Sequence, residues 1–280
     1  MFIPSSNGKH DWQDFTLILP TVSVGNVGQL ASDLIISTLS LERVGYFLHP
    51  SLLPVAGNNP YADDGSTSYK MTTGCEVFES SVKKIVVVQQ RAPIIKGRRK
   101  EYSDWLSDWI QEKKFHQVVI LSSTFSQNRL DHQITGSPFR ILLSPKMEEQ
   151  TGEYFRTELG WQKLEHRDSS LVPTGLQVET DNDRTESKHP YIPGSGITQL
   201  VFDNCETLPI LVLLMFVSEG DNAYDALSVA SQLNRWLNLV TPKNKDKEQD
   251  GNCLGSAGDW KVPMSWRLLF GSTYDQKLFQ

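Results

Sequence analysis

The features that the sequence lacks, or has little of, argue against several large classes of protein. Acidic side chains outnumber basic ones by 33 to 27, which gives a net charge of −6 with histidine neutral. A nucleic-acid-binding domain is usually clearly basic, so nucleic acid is not expected as a partner. The longest apolar run, residues 208–217, contains a proline and has about half the length of a membrane-spanning helix. A membrane segment is therefore not expected.

Cysteine is also scarce. Cys75, Cys205 and Cys253 are widely spaced, form no CxxC pair and have no histidine nearby at a metal-ligand spacing. This pattern predicts reduced, structural thiols, and neither a disulfide framework nor a zinc site. Residues 1–15 lack a basic segment followed by an apolar stretch, so a secretory signal is not expected. Together these features favour a cytoplasmic or nuclear protein.

Recognisable catalytic patterns are missing as well. Gly25 and Gly28 lie between a predicted strand and a predicted helix, but a third glycine in register and a Walker lysine are absent, which favours a tight turn over a phosphate site. Ser195 has glycines immediately beside it, whereas a nucleophile elbow has them two residues away. The six histidines are scattered, and none belongs to a recognisable triad. The residues therefore predict no catalytic site, no cofactor and no metal.

The hydrophobic pattern that is present alternates between strands and helices. Apolar runs predict strands at residues 15–20, 44–48, 85–88, 118–121 and 210–216. Helical spacing of apolar residues predicts helices at about 30–39, 102–110, 145–159 and 226–237. Ser144 before Pro145 is typical of a helix start, and Asp221 or Asn222 can cap the last helix. Continuous runs suit strands covered on both faces, so we predict an α/β fold with a largely parallel central sheet flanked by helices.

Three polar segments interrupt this pattern. Residues 177–189 and 242–258 contain many charged residues or glycines, and we predict that they are flexible insertions and not domain boundaries. The basic run Lys96–Lys100 is the densest positive charge in the chain. It can form a patch for an acidic partner or a solvated turn before the next helix, and the second interpretation is favoured.

Seven short stretches are more specific than a fold pattern. In sequence order they are Pro20–Ala31, Asp33–Thr38, Val55–Ala62, Leu121–Ser123, Pro138–Arg140, Phe216–Asn222 and Trp260–Gly271. In this order, and over nearly the whole chain, they resemble the proteasome assembly chaperone 2 (PAC2) family. The matching residues for which we predict a structural or interface role are Gly25, Asn26, Gly28, Asn58, Asn59, Pro60, Tyr61, Trp266, Arg267 and Phe270.

The resemblance implies a fold and a function. It implies a single Rossmann-like α/β domain over residues 1–280 and a chaperone that is not an enzyme and needs no cofactor. Members of the family pair with proteasome assembly chaperone 1 as an obligate heterodimer and bind α-subunits of the 20S proteasome. They promote assembly of the α-ring and prevent its off-pathway dimerisation. The implied locations are the cytoplasm and the nucleus.

The last residues carry a further part of the resemblance. Residues 272–280 are predicted to be a tail that ends in Leu278, Phe279 and Gln280. Family tails with a hydrophobic residue, an aromatic residue and any last residue enter pockets between α-subunits, and here Phe replaces the usual Tyr. The apolar anchor, the ring and the terminal carboxylate suit such docking, with one hydrogen bond fewer than a tyrosine would make. The alternative is a frayed chain end.

Two other hypotheses stay open at this stage. A Rossmann-like fold can host a small-molecule or nucleoside-processing enzyme, for which the loop at residues 25–28 is the one supporting feature. A scaffold unrelated to the proteasome is the other.

The chaperone hypothesis also predicts how the chain behaves when it is expressed alone. A chain with an obligate partner exposes apolar surface when it is expressed alone, so it should be poorly soluble or self-associate.

Overall fold

The computed structural model describes residues 1–5, 10–62, 71–165, 189–241 and 259–268. In sequence order the strands are β1 Phe2–Pro4, β2 Thr16–Pro20, β3 Glu42–Phe47, β4 Ala56–Asn58, β5 Met71–Thr73, β6 Cys75–Ser80, β7 Ile85–Gln90, β8 Gln117–Phe125, β9 Phe139–Leu143 and β10 Ile210–Val217. The α-helices are α1 Val27–Leu39, α2 Arg99–Lys113, α3 Asp131–Ile134, α4 Pro145–Thr157, α5 Thr198–Asn204 and α6 Ala223–Leu237. Short 3₁₀ helices span Val24–Asn26, Ser126–Asn128 and Met264–Leu268.

Eight of these strands form one sheet in the order β1-β3-β6-β7-β2-β8-β10-β9. The four central strands β7, β2, β8 and β10 run parallel to one another. On one side β6, β3 and β1 continue the sheet with antiparallel pairings, and on the other side β9 pairs antiparallel with β10. The predicted α/β fold with a parallel centre is thus confirmed, and the antiparallel flanks extend the sheet beyond what the sequence pattern predicted. The short strands β4 and β5 pair with each other outside this sheet.

The core lies in two layers, one on each face of the sheet. Along β2, Leu17 and Leu19 point to the layer that contains α2 and α5, whereas Ile18 points to the layer that contains α1, α4 and α6. Every residue of β10 is buried, because helices cover this central strand on both faces. The continuous apolar runs therefore correspond to strands covered on both faces, as predicted.

Helix starts follow the local sequence. Ser144 is the N-cap of α4, where its Oγ accepts a hydrogen bond from the amide of Met147 at 3.3 Å, and Pro145 occupies the first helical turn. Before α6, the carboxylate of Asp221 accepts from the amide of Ala223 at 3.0 Å, while Asn222 takes the N-cap position without a side-chain cap bond. The basic run Lys96–Lys100 is exposed: residues 96–98 form a turn that leads into α2, as the favoured interpretation predicts, and Arg99 and Lys100 are the first two residues of the helix.

Several of the predicted features lie outside the described residues. The insertion predicted at 242–258, nearly all of that at 177–189, and the tail at 272–280 lie outside the described residues, as does Cys253. Cys75 and Cys205 are buried free thiols, and burial raises the pKa of Cys75 to about 12. In the described ranges, no helix is both long and apolar enough to cross a bilayer. The same ranges contain no cluster of three or more potential metal ligands.

Candidate functional site

The carboxyl ends of the parallel strands form the edge where α/β folds usually bind ligands. In this chain that edge is filled by hydrogen-bonded hydroxyl groups. Thr21 Oγ1, just after β2, lies 3.0 Å from Ser122 Oγ on β8 and 2.9 Å from Thr198 Oγ1 at the start of α5. All three side chains are buried. These hydroxyl groups satisfy one another, so they connect three elements of the fold.

The 3₁₀ turn with Gly25 and Asn26 packs against the same edge, as does Gly28 in the first turn of α1. Gly25 has φ 64° and Asn26 has φ 53°, which is the positive φ that the tight-turn interpretation requires. A Cβ at Gly25 would lie closer than 3.0 Å to the side chain of Asn222, and one at Gly28 would lie that close to the carbonyl oxygen of Leu121. The glycines therefore allow close packing of the chain against itself, and two stretches of the family resemblance meet at Gly25 and Asn222.

The glycine-rich segment Pro193–Ile197 also packs against this edge. Ser195 is buried, and its Oγ donates to the carbonyl oxygen of Ile192 at 2.7 Å. A Cβ at Gly196 would lie closer than 3.0 Å to the carbonyl oxygen of Val22. This is the close approach of backbone to backbone that the adjacent glycines predict. The Ser195 hydroxyl is hydrogen-bonded within its own loop.

A shallow groove opens beside the edge. Its apolar lining residues include Leu130, Leu164 and Phe216, and its acidic residue is Glu165. The Glu165 carboxylate accepts a hydrogen bond from Arg140 Nε at 3.2 Å. Burial would raise the pKa of Glu165, but a backbone hydrogen bond and the charge of Arg140 outweigh it and lower that pKa. The carboxylate is therefore held ionised by partners within the fold.

The stretch Asn58–Tyr61 forms a turn that leaves β4 and reaches α1. Asn59 Oδ1 accepts from the amide of Tyr61 at 3.1 Å, which is an Asx turn around Pro60. The hydroxyl of Tyr61 then donates to Asp33 Oδ1 at 2.6 Å. This turn brings the second stretch of the resemblance into contact with the stretch that contains Asp33.

The Asp33 carboxylate accepts hydrogen bonds from three side chains. We call the four residues Asp33, Tyr61, Gln89 and Arg91 the Asp33 network. Besides the Tyr61 hydroxyl, its Oδ1 accepts from Arg91 Nη2 and from Gln89 Nε2, both at 2.6 Å. Arg91 Nη2 also donates to the hydroxyl oxygen of Tyr61 at 2.9 Å. The network joins α1, the end of β7 and the turn after β4.

Burial and charge set the protonation states in this network. Burial, followed by the negative charge of Asp33, raises the pKa of Tyr61 well above its ordinary value, so the phenol keeps its proton. Burial, the largest single effect, would lower the pKa of Arg91, but the charge of Asp33 together with the smaller effects of Tyr61, of the hydrogen bond to Asp33 and of Glu76 outweighs burial and raises that pKa. Tyr61 therefore stays a donor and Arg91 stays a cation at any physiological pH.

The last described residues form what we call the C-terminal strap, residues 259–268. The indole Nε1 of Trp260 donates to Ser231 Oγ on α6 at 3.1 Å, and the amide of Lys261 donates to Thr38 Oγ1 on α1 at 2.8 Å. The amide of Ser265 donates to the carbonyl oxygen of Pro60 at 3.5 Å. The strap thus lies across α1, α6 and the Asn58–Tyr61 turn.

The structure brings some of the predicted site residues together, and others lie outside the described residues. Trp266 packs against the core layer of α1 and Tyr61 packs against the same layer. The backbone of Arg267 lies in the 3₁₀ helix of the strap. Phe270 and the predicted docking tail, Leu278, Phe279 and Gln280, lie outside the described residues.

On the face opposite α2, one part of the sheet is covered by none of the helices in the described residues. Ile3 and Tyr46 pair directly across β1 and β3, and Met1 and Leu48 exchange backbone hydrogen bonds at the end of the same ladder. Residues opposite each other or two apart share a face, so these four side chains lie together. Met1, Ile3 and Leu48 are exposed. We call this group the open sheet face.

Asp33, Gln89 and Arg91 were not predicted as site residues. A signal for Asp33 was available, because it is the one charged residue within α1, whose other residues are uncharged and mostly apolar. A buried carboxylate needs a partner, and Arg91 directly follows the apolar strand β7. Without the fold, however, no pattern links α1 to a residue 58 positions later.

Comparison with known proteins agrees with the resemblance. The sequence profile described as "PAC2 family" matches residues 17–245. The protein named Proteasome assembly chaperone 2 in Danio rerio is 41% identical over 281 residues, and the one in Homo sapiens is 40% identical over 281 residues. Both alignments cover 100% of this chain and 100% of the relative.

Solved structures share the fold at much lower identity. PbaA of Pyrococcus furiosus, described as an archaeal homolog of proteasome-assembly chaperone, has a TM-score of 0.56 at 14% identity, over 82% of this chain and 84% of that chain. PbaB of the same organism, described as an archaeal proteasome activator, has a TM-score of 0.54 at 14% identity, over 85% and 88%. Because the profile covers most of the chain and the full-length relatives are 40–41% identical, this chain belongs to the PAC2 family.

Proposed function

We propose that this chain is a proteasome assembly chaperone that acts through protein–protein contacts and not through catalysis. The observation that carries the proposal is the full-length similarity to relatives named Proteasome assembly chaperone 2. The arrangement of polar groups supports the non-enzymatic part. The hydroxyl groups at the carboxyl edge bond to one another, and Glu165 is paired with Arg140.

In finer terms, the chain forms an obligate heterodimer with proteasome assembly chaperone 1 and binds α-subunits of the 20S proteasome. It promotes α-ring assembly and prevents ring dimerisation, in the cytoplasm and the nucleus. The open sheet face supports the need for a partner subunit, since exposed apolar side chains on neighbouring strands are typical of an interface. The apolar end of the chain at Leu278 and Phe279 supports docking to α-subunits.

Purification of the tagged chain from cells tests this function. We expect α-subunits and the partner chaperone to co-purify with it, and mature β-subunits to be absent. Recovery of neither α-subunits nor the partner would overturn the proposal.

A thermal-shift screen with nucleotides and phosphate tests the enzyme alternative, because a ligand of the folded state raises the melting temperature. No shift is expected, and a clear one would favour a small-molecule site.

The tail can be tested separately on preformed α-rings. We expect deletion of Leu278–Gln280 to reduce affinity, because it removes the apolar anchor and the aromatic ring. Phe279→Tyr should increase affinity about fivefold, since a hydroxyl that finds a partner adds roughly 1 kcal/mol. Unchanged affinity after the deletion would contradict docking by the tail.

A further inference from the structure

The basic run before α2 is exposed, which fits both a solvated turn and a patch for an acidic partner. We call Arg98, Arg99 and Lys100, at the end of this run, the basic cluster. Arg98 forms an ion pair with Glu101 at 3.9 Å, in which both side chains are about half exposed. Around Arg99 and Lys100, the part of the chain that the structure describes holds no carboxylate within 4.0 Å. The cluster therefore concentrates positive charge at one point of a chain whose net charge is −6.

The basic cluster does not serve the helix that it begins. Arg98 is the N-cap residue of α2 and makes no side-chain cap hydrogen bond, and Arg99 and Lys100 are the first two helical residues. The N-terminus of a helix carries a partial positive charge, so cations there are unfavourable. Glu101 is the one acidic residue of the first turn. A local arrangement that opposes the stability of its own element is typical of a functional surface.

Exposed apolar side chains lie beside the basic cluster. Two backbone hydrogen bonds, of 2.8 and 3.1 Å, pair residues 51–53 with residues 93–95, the segment that leads into the cluster. Leu53, at the end of the first segment, is 43% exposed, and Val55 is 44% exposed. Both residues approach Gly74, which has no side chain, so they lie together. The pairing therefore places two aliphatic side chains next to three cations.

We propose that the basic cluster, together with Leu53 and Val55, is a docking surface for an acidic segment of a partner protein that carries aliphatic side chains among its carboxylates. Charge complementarity supports this occupant, because guanidinium and ammonium groups form charge-assisted hydrogen bonds with carboxylates. The two aliphatic residues add apolar area that an acidic segment without aliphatic side chains would leave exposed. The surface goes beyond the proposed function, since it needs neither the tail nor the open sheet face.

An extended polyanion, such as a nucleic acid or an anionic membrane, fits this surface less well. Asp104 and Asp108 are exposed on α2 beyond the basic cluster, so phosphates that continued along the helix would meet two carboxylates. The net charge of −6 also opposes the approach of a polyanion. A short acidic segment, in contrast, can end at the cluster and place its aliphatic side chains on Leu53 and Val55.

Binding of a labelled peptide to the full-length chain tests the surface. The probe is a short peptide of alternating glutamate and leucine, and fluorescence anisotropy measures its affinity. Replacing the whole basic cluster by Gln should weaken binding about tenfold, which is about twofold for each exposed ion pair. A control variant that loses three exposed cations elsewhere should bind like the unsubstituted chain, and its substitutions are Lys114→Gln, Lys146→Gln and Arg235→Gln. Equal losses in the two variants would overturn the proposal, since the peptide would then respond only to net charge.

The apolar part of the surface has its own test. Leu53→Ser combined with Val55→Ser should weaken binding of the same peptide about fivefold, the value of roughly 40 Å² of buried apolar area. Val82→Ser is the control, because Val82 is 92% exposed and lies in the turn between β6 and β7. No effect of the Leu53 and Val55 substitutions would contradict the proposal. So would tighter binding of a single-stranded oligonucleotide or of phosphatidylserine vesicles than of the peptide.

Thermal unfolding separates a binding role of the cations from a structural one. The variant without the basic cluster should melt at the same temperature as the unsubstituted chain or higher, because it removes cations from a helix N-terminus. A lower melting temperature would show that the cations stabilise the fold, and it would overturn the proposal, as would the absence of any peptide binding. None of these measurements involves α-subunits, so their outcome is independent of the proposed function.

Discussion

At the scale of single residues, Asp33 shows how one buried charge connects distant parts of the chain. Its side chain is 5% exposed, and three donors from other elements converge on it. A carboxylate in such a place is tolerated only when it is paired, since an isolated buried charge is very costly. Arg91, which is one-quarter exposed, is the cation of the pair. The pair therefore fixes α1 relative to the end of β7.

Removing one partner of this pair should be costly. Asp33→Ala leaves the Arg91 guanidinium mostly buried and without its carboxylate, and we expect a loss of about 2–3 kcal/mol in the free energy of unfolding. Urea unfolding at pH 7 measures the change. The double variant Asp33→Leu with Arg91→Met removes both charges and should be more stable than Asp33→Ala alone. A double variant that is less stable than the single one would contradict the explanation by an unpaired charge.

Glu79 should contribute to stability in a pH-dependent way. Burial would raise its pKa, but hydrogen bonds from Trp12, Ser81 and His10 outweigh burial and lower the pKa below the ordinary 4.5. A carboxylate whose pKa is lowered by folding stabilises the fold above its unfolded pKa, and this contribution is lost as the pH falls through the folded pKa. Glu79→Gln should therefore flatten the loss of stability below about pH 4.5.

Unfolding free energies measured from pH 7 to pH 3 test this expectation. Glu149→Gln is the control, because Glu149 is an exposed residue of α4. We expect the control to keep the acid-dependent loss of the unsubstituted chain. If Glu79→Gln also keeps that loss, the hydrogen bonds to Glu79 do not stabilise the folded state.

At the scale of elements, Ser144 connects a helix start to the central strand β10. Its Oγ accepts from the amides of Met147 at 3.3 Å and Ile210 at 2.9 Å and donates to the carbonyl oxygen of Leu208 at 2.6 Å. Ser144→Ala removes the helix cap and leaves buried backbone groups unpaired, so we expect a loss of about 2 kcal/mol. Lys146→Ala, at an exposed position of α4, should change stability by less than about 0.5 kcal/mol. Equal effects in thermal unfolding would contradict the role of Ser144.

Elements with strong local signals were predictable from the sequence. The apolar runs gave β2, β7, β8 and β10 because strands covered on both faces must be apolar throughout. The strand β6 was missed because its sequence CEVFES contains two carboxylates, and the burial of Glu76 depends on a partner, Arg43, on β3. The strands β1, β4 and β5 have three residues each, too few for any periodicity to show. Short edge strands are defined by their neighbours and not by their own pattern.

The candidate site was predictable to a smaller extent. Gly25, Gly28 and Gly196 could be assigned to close packing because glycine is the residue that allows positive φ and near contact of backbones. The partners of Tyr61 could not be assigned, because its hydroxyl and the Asp33 carboxylate come from positions 28 residues apart and meet only in the folded chain. Contacts of this kind are set by the order of the strands.

At the scale of the whole molecule, the helices of the described residues cover the sheet unevenly. Helices cover both faces of the parallel centre, and the α2 face remains covered out to β3, where Phe47 packs on Trp105 and Trp109 with ring centroids 5.1 and 4.8 Å apart. The opposite face of β1 and β3 is the open sheet face, with Leu48 65% exposed. An uncovered apolar face on an antiparallel edge is a risk for self-association.

We therefore expect the chain, expressed without a partner, to self-associate through the open sheet face. Replacing Ile3 and Leu48 together by Thr, which keeps a strand-forming side chain and adds a hydroxyl, should shift the population toward monomer in size-exclusion chromatography with light scattering. Val82→Thr is the matched control: Val82 is 92% exposed but lies in the turn between β6 and β7, away from this face. The control should associate like the unsubstituted chain. A stable, monodisperse monomer of the unsubstituted chain, or an equal effect of Val82→Thr, would contradict the role of this face, since association would then not depend on where the apolar side chains lie.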